Sequence, residues 1–225
     1  MTVATTTSTA GQARRTGPSG VNRWLMHAAA KPALFVLCML PFAWLFWAAF
    51  SDQLGANPAE ALIRSLGDWS LRFLVIVLAV TPLRVTTGWS GLARLRRMLG
   101  LFVFFYVCLH LLAYAWFDMG FVWADVVADI IKRPFILVGF LGWLLLLALA
   151  ATSFNRAIRA MGAARWQMLH KAVYLIAGLA VLHFFWMRAG KNDFNEVAVY
   201  AALLAGLLGW RVWRWRQGSK VSSRS

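Results

Sequence analysis

Six long apolar stretches run through this chain, and they leave few folds open to it. They cover residues 33–50, 71–83, 98–117, 134–151, 168–187 and 197–213. Crossing ~30 Å of hydrocarbon takes roughly 20 helical residues, fewer where ends snorkel or the bilayer is thin. The third and fifth stretches each hold 20 residues. The second is short, and Arg72 at one end must snorkel. The sixth closes in Trp210, Arg211, Trp213, Arg214 and Trp215, a mixture suited to the membrane interface. The runs are continuously apolar, without the two-residue alternation of barrel strands. An all-α integral membrane protein, a six-transmembrane helix bundle, is therefore predicted.

Charge orients the bundle. Hydrophobic residues make up 61% of the chain and only 14% is charged, yet the formal net charge is +15. A soluble nucleic-acid binder would carry far more charge and far less Leu, Phe and Trp. If the N-terminus is cytoplasmic, 17 of the 23 Lys and Arg fall on that side of the bundle. All eight acids fall on the other: Asp52, Glu60, Asp68, Asp118, Asp125, Asp129, Asp193 and Glu196. The positive-inside rule then predicts both termini in the cytoplasm. The expected organisation is a disordered tail at 1–22, a membrane domain at 23–216 and a short cytoplasmic tail at 217–225. Arg14-Arg15 is not followed directly by an apolar signal region, so the first span is read as retained. Cys38 and Cys108 both sit inside apolar runs, which gives no disulfide framework.

Three of the four histidines lie in the third and fifth spans: His110, His170 and His183. Ionisable residues inside spans are costly and so become functional candidates. Both spans run in the same direction. His110 lies roughly 18 Å along the third, counted from residue 98, and His183 roughly 22 Å along the fifth, counted from residue 168. Two imidazoles at matched depth on different helices meet the requirement for axial ligation of a haem standing edge-on between them. The plainer alternative is a histidine hydrogen-bonded between helices. No Cys, Asp or Glu is read at that depth to complete a zinc set, and no carboxylate to form a proton relay.

His170 lies ~20 Å from His183 along the same span and does not share its face of an ideal helix, so two stacked sites need a tilt, a local distortion or cofactors offset sideways. Where a second ligand on the third span would mirror His170 stand Arg96 and Arg97. A guanidinium does not ligate iron but clamps a propionate or a flavin phosphate. His27, before the first span, is a candidate partner for His170 but reads first as a surface residue. Tyr106, Tyr174, Phe184, Phe185 and Trp186 read first as packing and interface anchors.

The runs Arg96-Arg97-Met98-Leu99-Gly100-Leu101 and Leu109-His110-Leu111 carry a family resemblance. So do Arg165-Trp166-Gln167-Met168-Leu169-His170-Lys171, Tyr174-Leu175 and His183, with Leu40-Pro41-Phe42 and Thr81-Pro82-Leu83. From about residue 24 to 213 the chain resembles the MsrQ family, haem-binding membrane subunits of periplasmic protein-methionine-sulfoxide reductase systems in the wider ferric-reductase-like transmembrane group. The resemblance implies haem b, one or two per chain, and FMN as cofactors. It places the family's three histidines on His110, His183 (outer haem) and His170 (inner haem ligand or cofactor contact), and its basic residue on Arg96. It implies electron delivery from the quinone pool or a cytoplasmic flavin reductase to a periplasmic molybdopterin-containing methionine sulfoxide reductase catalytic subunit, which itself reduces the sulfoxide during repair of oxidised proteins. The alternatives are a stand-alone membrane cytochrome b with ferric or quinone-linked reductase activity, and a cofactor-free membrane scaffold or transporter.

Overall fold

The computed structural model describes residues 20–190 and 192–222. Most of the tail assigned to 1–22, with Arg14 and Arg15, lies outside the described residues. No strand occurs among the described residues. The helices are α1 (Gly20–Met26), α2 (Ala30–Phe50), α3 (Pro58–Thr87), α4 (Leu92–Ala113), α5 (Trp123–Lys132), α6 (Pro134–Ala151), α7 (Asn155–Met161), α8 (Ala163–His170), α9 (Ala172–Ala189) and α10 (Asn195–Ser222). A π-helical turn, Tyr114–Asp118, extends α4. Among the described residues, six helical segments are long and apolar enough to cross a membrane, as the hydropathy pattern predicts.

Two spans differ from the sequence reading. The second is not 13 residues of apolar run but a helix that starts at Pro58. Asn57 caps it by accepting from the Glu60 N–H at 3.2 Å, and Pro58 is pre-set for the first turn. Arg64, Asp68 and Arg72 interrupt the hydropathy without breaking the helix. Arg72 does not simply snorkel. Its Nε donates to the Tyr200 hydroxyl at 3.2 Å, and its guanidinium lies over Trp69. The fifth span is continuous in direction but interrupted at Lys171, whose N–H points at both Gln167 and Met168 carbonyls. The distortion between His170 and His183 therefore falls immediately after His170.

The core lies between α3 and α4, where Phe73, Leu74, Val77 and Leu78 pack on Leu99, Phe102, Val103 and Tyr106. A second antiparallel pair, α6 with α9, lies against α4. The acids in the connections fall at one end of the bundle, hereafter the acidic end. The basic end gathers Arg94, Arg96, Arg97, Arg156, Arg159 and Arg165.

Two prolines sit inside spanning helices, and a side chain from a neighbour repairs each. Inside a bilayer, every backbone polar group left unpaired is expensive. Next to Pro41, the Tyr106 hydroxyl inserts into the α2 ladder. It accepts from the Phe42 N–H at 3.0 Å and donates to the Cys38 carbonyl at 2.8 Å. Pro82 lacks the N–H that would serve the Leu78 carbonyl, and Arg211 of α10 donates there from Nη2 at 2.7 Å. Its Nη1 donates to the Tyr174 hydroxyl at 2.7 Å. Arg211 thus turns into the bundle, whereas the sequence placed it in an interfacial anchor. Tyr106→Phe is expected to lower unfolding stability in detergent by about 1–3 kcal/mol, because it strands a buried donor and acceptor beside Pro41. A thermal midpoint unchanged from wild type would show that the ladder closes without the hydroxyl.

Candidate functional site: two imidazoles in an apolar cavity

His110 on α4 and His183 on α9 face each other across the middle of the two helix pairs. Their ring centres are 6.2 Å apart and their planes lie at 82°. Both line one cavity of about 270 Å³, walled by Leu71, Leu74, Val103, Leu146 and Ile176 among other apolar groups.

The same local device holds each ring. His110 Nδ1 lies 2.8 Å from the Ile63 carbonyl oxygen on α3, and His183 Nδ1 lies 2.6 Å from the Phe135 carbonyl oxygen on α6. In helical register those carbonyls serve the N–H groups of Gly67 and Gly139, four residues on. A Cβ on Gly67 would meet His110 Cε1 at 3.2 Å, and one on Gly139 would meet His183 Cε1 at 2.9 Å. Glycine is what lets each imidazole reach the neighbouring backbone. A carbonyl accepts, so Nδ1 carries the proton on both rings and Nε2 is left with its lone pair. Pro134 sets the start of α6, and the extended Arg133 before it separates α5 from α6.

Two imidazoles 6.2 Å apart, each with an unprotonated Nε2, are a pair that could hold one metal. With metal–imidazole bonds of about 2.0–2.1 Å and ring centres about 1.1 Å behind each nitrogen, trans imidazoles have centres ~6.2–6.4 Å apart. The observed separation suits that arrangement. No group of three His, Cys, Asp or Glu among the described residues is placed to hold a metal ion. A metal here would need its remaining ligands from a non-protein group such as a macrocycle.

Two carboxylates reach the cavity wall, Asp68 and Asp118, where the sequence reading expected none. The cause is the early start of α3 and the π-helical turn after Ala113, which bring both residues onto the bundle. At the acidic end the Tyr114 hydroxyl donates to Asp129 at 2.5 Å, and Arg133 Nε donates to the same carboxylate at 2.6 Å. Partial burial pushes the Asp129 carboxyl up, but the bonds from Arg133 and Tyr114 outweigh it and leave it below the ordinary value. The Asp129 partner in turn holds Arg133 above its ordinary value.

The other candidate residues are not brought to this cavity. His170 stacks on Trp166 with ring centres 3.9 Å apart, its Nδ1 3.0 Å from the Trp166 carbonyl. Arg96 is within electrostatic reach of His170, Arg211 and Arg84. Arg97 donates to Asn155 Oδ1 at 2.8 Å and ties α4 to α7. His27 is exposed and accepts from the Ala29 N–H at 3.1 Å, at the start of α2. Sequence reasoning missed Gly67, Gly139, Arg64, Arg133 and Arg188. The only signal for the two glycines is their place one helical turn beyond the carbonyl that accepts from the ring, which needs the helix pairing to be read.

Comparison with known proteins places this geometry in a family. The family described as ferric reductase like transmembrane component matches residues 66–181, a stretch that contains Gly67, His110, Gly139 and His170. The protein-methionine-sulfoxide reductase heme-binding subunit MsrQ of Polaromonas naphthalenivorans (strain CJ2) is 72% identical over 195 residues, covering 87% of this chain and 89% of its own. The MsrQ subunit of Herminiimonas arsenicoxydans is 49% identical over 191 residues, covering 84% and 88%. That of Bordetella pertussis (strain Tohama I / ATCC BAA-589 / NCTC 13251) is 54% identical over 185 residues, covering 82% and 89%. No solved structure matches the chain. A membrane bundle matched over residues 66–181 and so similar to these relatives along most of both chains belongs to the MsrQ family, within the ferric-reductase-like transmembrane group.

Proposed function

We propose that this chain is the haem b electron-transfer subunit of a protein-methionine-sulfoxide reductase system in the bacterial inner membrane, with both termini cytoplasmic. The observation that carries the reading is the His110–His183 pair, 6.2 Å apart with both Nδ1 atoms tied to helix carbonyls. Relatives named heme-binding subunits support it. Haem b bound there supplies one-electron exchange between ferric and ferrous iron.

The residues give that cofactor its character. His110 and His183 would both ligate the iron, a ligand set that would suit electron transfer over oxygen chemistry. The two carbonyl anchors fix the tautomers and lock the ring orientations. Leu71, Leu74, Val103 and Leu146 line the cavity and would keep water from a group bound there. On the cytoplasmic side, His170 and Arg96 form the contact for an inner cofactor, a second haem or the phosphate of FMN. Arg97, engaged with Asn155, is the weaker of the two arginine candidates. Electrons enter from the quinone pool or a cytoplasmic flavin reductase. They leave at the acidic end to a periplasmic molybdopterin-containing methionine sulfoxide reductase, whose catalytic subunit carries out the sulfoxide reduction. The histidine pair would serve a stand-alone cytochrome equally, and the names of the relatives favour the reductase system over it; the cofactor-free readings leave the pair in its apolar cavity without a role.

His110→Ala and His183→Ala are expected to abolish the sharp reduced α-band of the purified protein. Gly139→Ala, which drives a Cβ into the His183 ring, should weaken haem retention on the order of tenfold, and Gly67→Ala by less. A colourless wild-type preparation, folded and from haem-replete cells, would sink the cytochrome reading. For the partner, dithionite-reduced protein is expected to be reoxidised when the periplasmic reductase and a methionine-sulfoxide substrate are supplied together. Absence of reoxidation would favour the stand-alone cytochrome.

A further inference from the structure

The cavity around His110 and His183 is charged at one end only. On α3, Arg64 precedes Gly67, and the apolar Leu71 and Leu74 follow it. On α6, Arg133 precedes Gly139 and Leu146 follows it. On α9, Arg188 lies five residues past His183, roughly 7.5 Å further towards the acidic end at 1.5 Å per residue. Three helices with different directions thus bring their arginines to the same rim, and none lines the opposite end of the cavity.

Each of the three is already held in place by a carboxylate. Arg64 Nη2 pairs with Glu60 at 2.6 Å, Arg133 with Asp129, and Arg188 with Asp193 and Glu196. A guanidinium carries five N–H donors in a planar fork, so these pairs leave donors over for a second carboxylate. Asp118 and Asp68 share the wall, three cations against two carboxylates. A ligand with an apolar body and two carboxylates on one edge matches this cavity in one direction only. Burying those carboxylates at the apolar end would leave them unpaired, which strongly disfavours that direction.

We infer that Arg64, Arg133 and Arg188 clamp the two propionates of the macrocycle held by His110 and His183, with its carboxylate edge facing the acidic end. This rests on the haem reading of the cavity. Glu60, Asp129, Asp193 and Glu196 are the groups that pre-organise the clamp, and the arginines act as binding and positioning residues. Arg96 and Arg97, the earlier propionate candidates, do not line this cavity and serve at most an inner cofactor.

The test uses holoprotein from cells fed aminolevulinate labelled with carbon-13 at its carboxyl carbon, so that the haem propionates are the labelled carboxylates. Redox-induced infrared difference spectra then report those groups apart from the protein's own acids. The labelled bands are expected to move in Arg64→Gln, Arg133→Gln and Arg188→Gln and to stay in place in Arg159→Gln at the basic end. Haem transfer to apomyoglobin should quicken on the order of tenfold in the first three, as one charge-assisted hydrogen bond is lost. If a glutamine variant does not fold, its lysine counterpart keeps the charge without the fork and should shift the bands less, with faster haem loss than wild type. Labelled bands and loss rates matching wild type in all three positions overturn the clamp. Wild-type protein that shows no labelled haem bands at all fails the cofactor reading instead, so the two failures are told apart.

Discussion

An imidazole N–H resting on a helix carbonyl beside a glycine is the contact on which this structure turns. It occurs twice, once in each antiparallel pair: His110 on the Ile63 carbonyl beside Gly67, and His183 on the Phe135 carbonyl beside Gly139. In both, the glycine stands four residues after the carbonyl. The spacing follows from the helix, because a carbonyl and the residue it serves lie one turn apart on the same face. A side chain at either glycine would hold the ring off the backbone and move its second nitrogen out of line. Helix pairing, tautomer and ligand geometry are therefore set by one packing decision made twice.

The bilayer explains why the rest of the bundle looks as it does. With no water to satisfy backbone groups, a proline inside a span must be answered by a neighbouring side chain. Tyr106 answers Pro41 and Arg211 answers Pro82, and each answer joins a helix to the α3–α4 core. Tyr106 stands one turn before His110 on α4, so the contact that seals the first span also steadies the helix that carries His110. At the acidic end, Tyr114, Asp129 and Arg133 bind the π-helical turn, α5 and α6 together next to the cavity. Membership of the MsrQ family gives this arrangement its context, since its relatives are named for binding heme.

Much of this was legible in the sequence. The six spans show as apolar runs, and His110 and His183 stand out because a histidine is rare in such runs and the two fall at matched depth. The extra length of α3 was hidden because Arg64, Asp68 and Arg72 depress local hydropathy while favouring no other structure. The amphipathic α5 is too short to register as a span, yet it buries Val126 and Ile130 against Tyr114. Asp68 and Asp118 were read as lying beyond the histidines for the same reason, since their helical register was not recoverable from hydropathy. Gly67 and Gly139 look like any other helical glycine until their partners are known. The mismatch between the faces of His170 and His183 left a tilt, a local distortion and sideways-offset cofactors equally open, and the break after His170 is visible only in the helix itself.

The most direct test of the histidine pair is low-temperature electron paramagnetic resonance of the oxidised wild-type protein, combined with its near-infrared magnetic circular dichroism. Both axial positions filled by imidazole nitrogens give a low-spin ferric signal with the charge-transfer band of bis-histidine haem. That is the predicted result. A high-spin ferric signal, or a low-spin signal whose near-infrared band belongs to another ligand pair, would contradict the placement of the metal between His110 and His183.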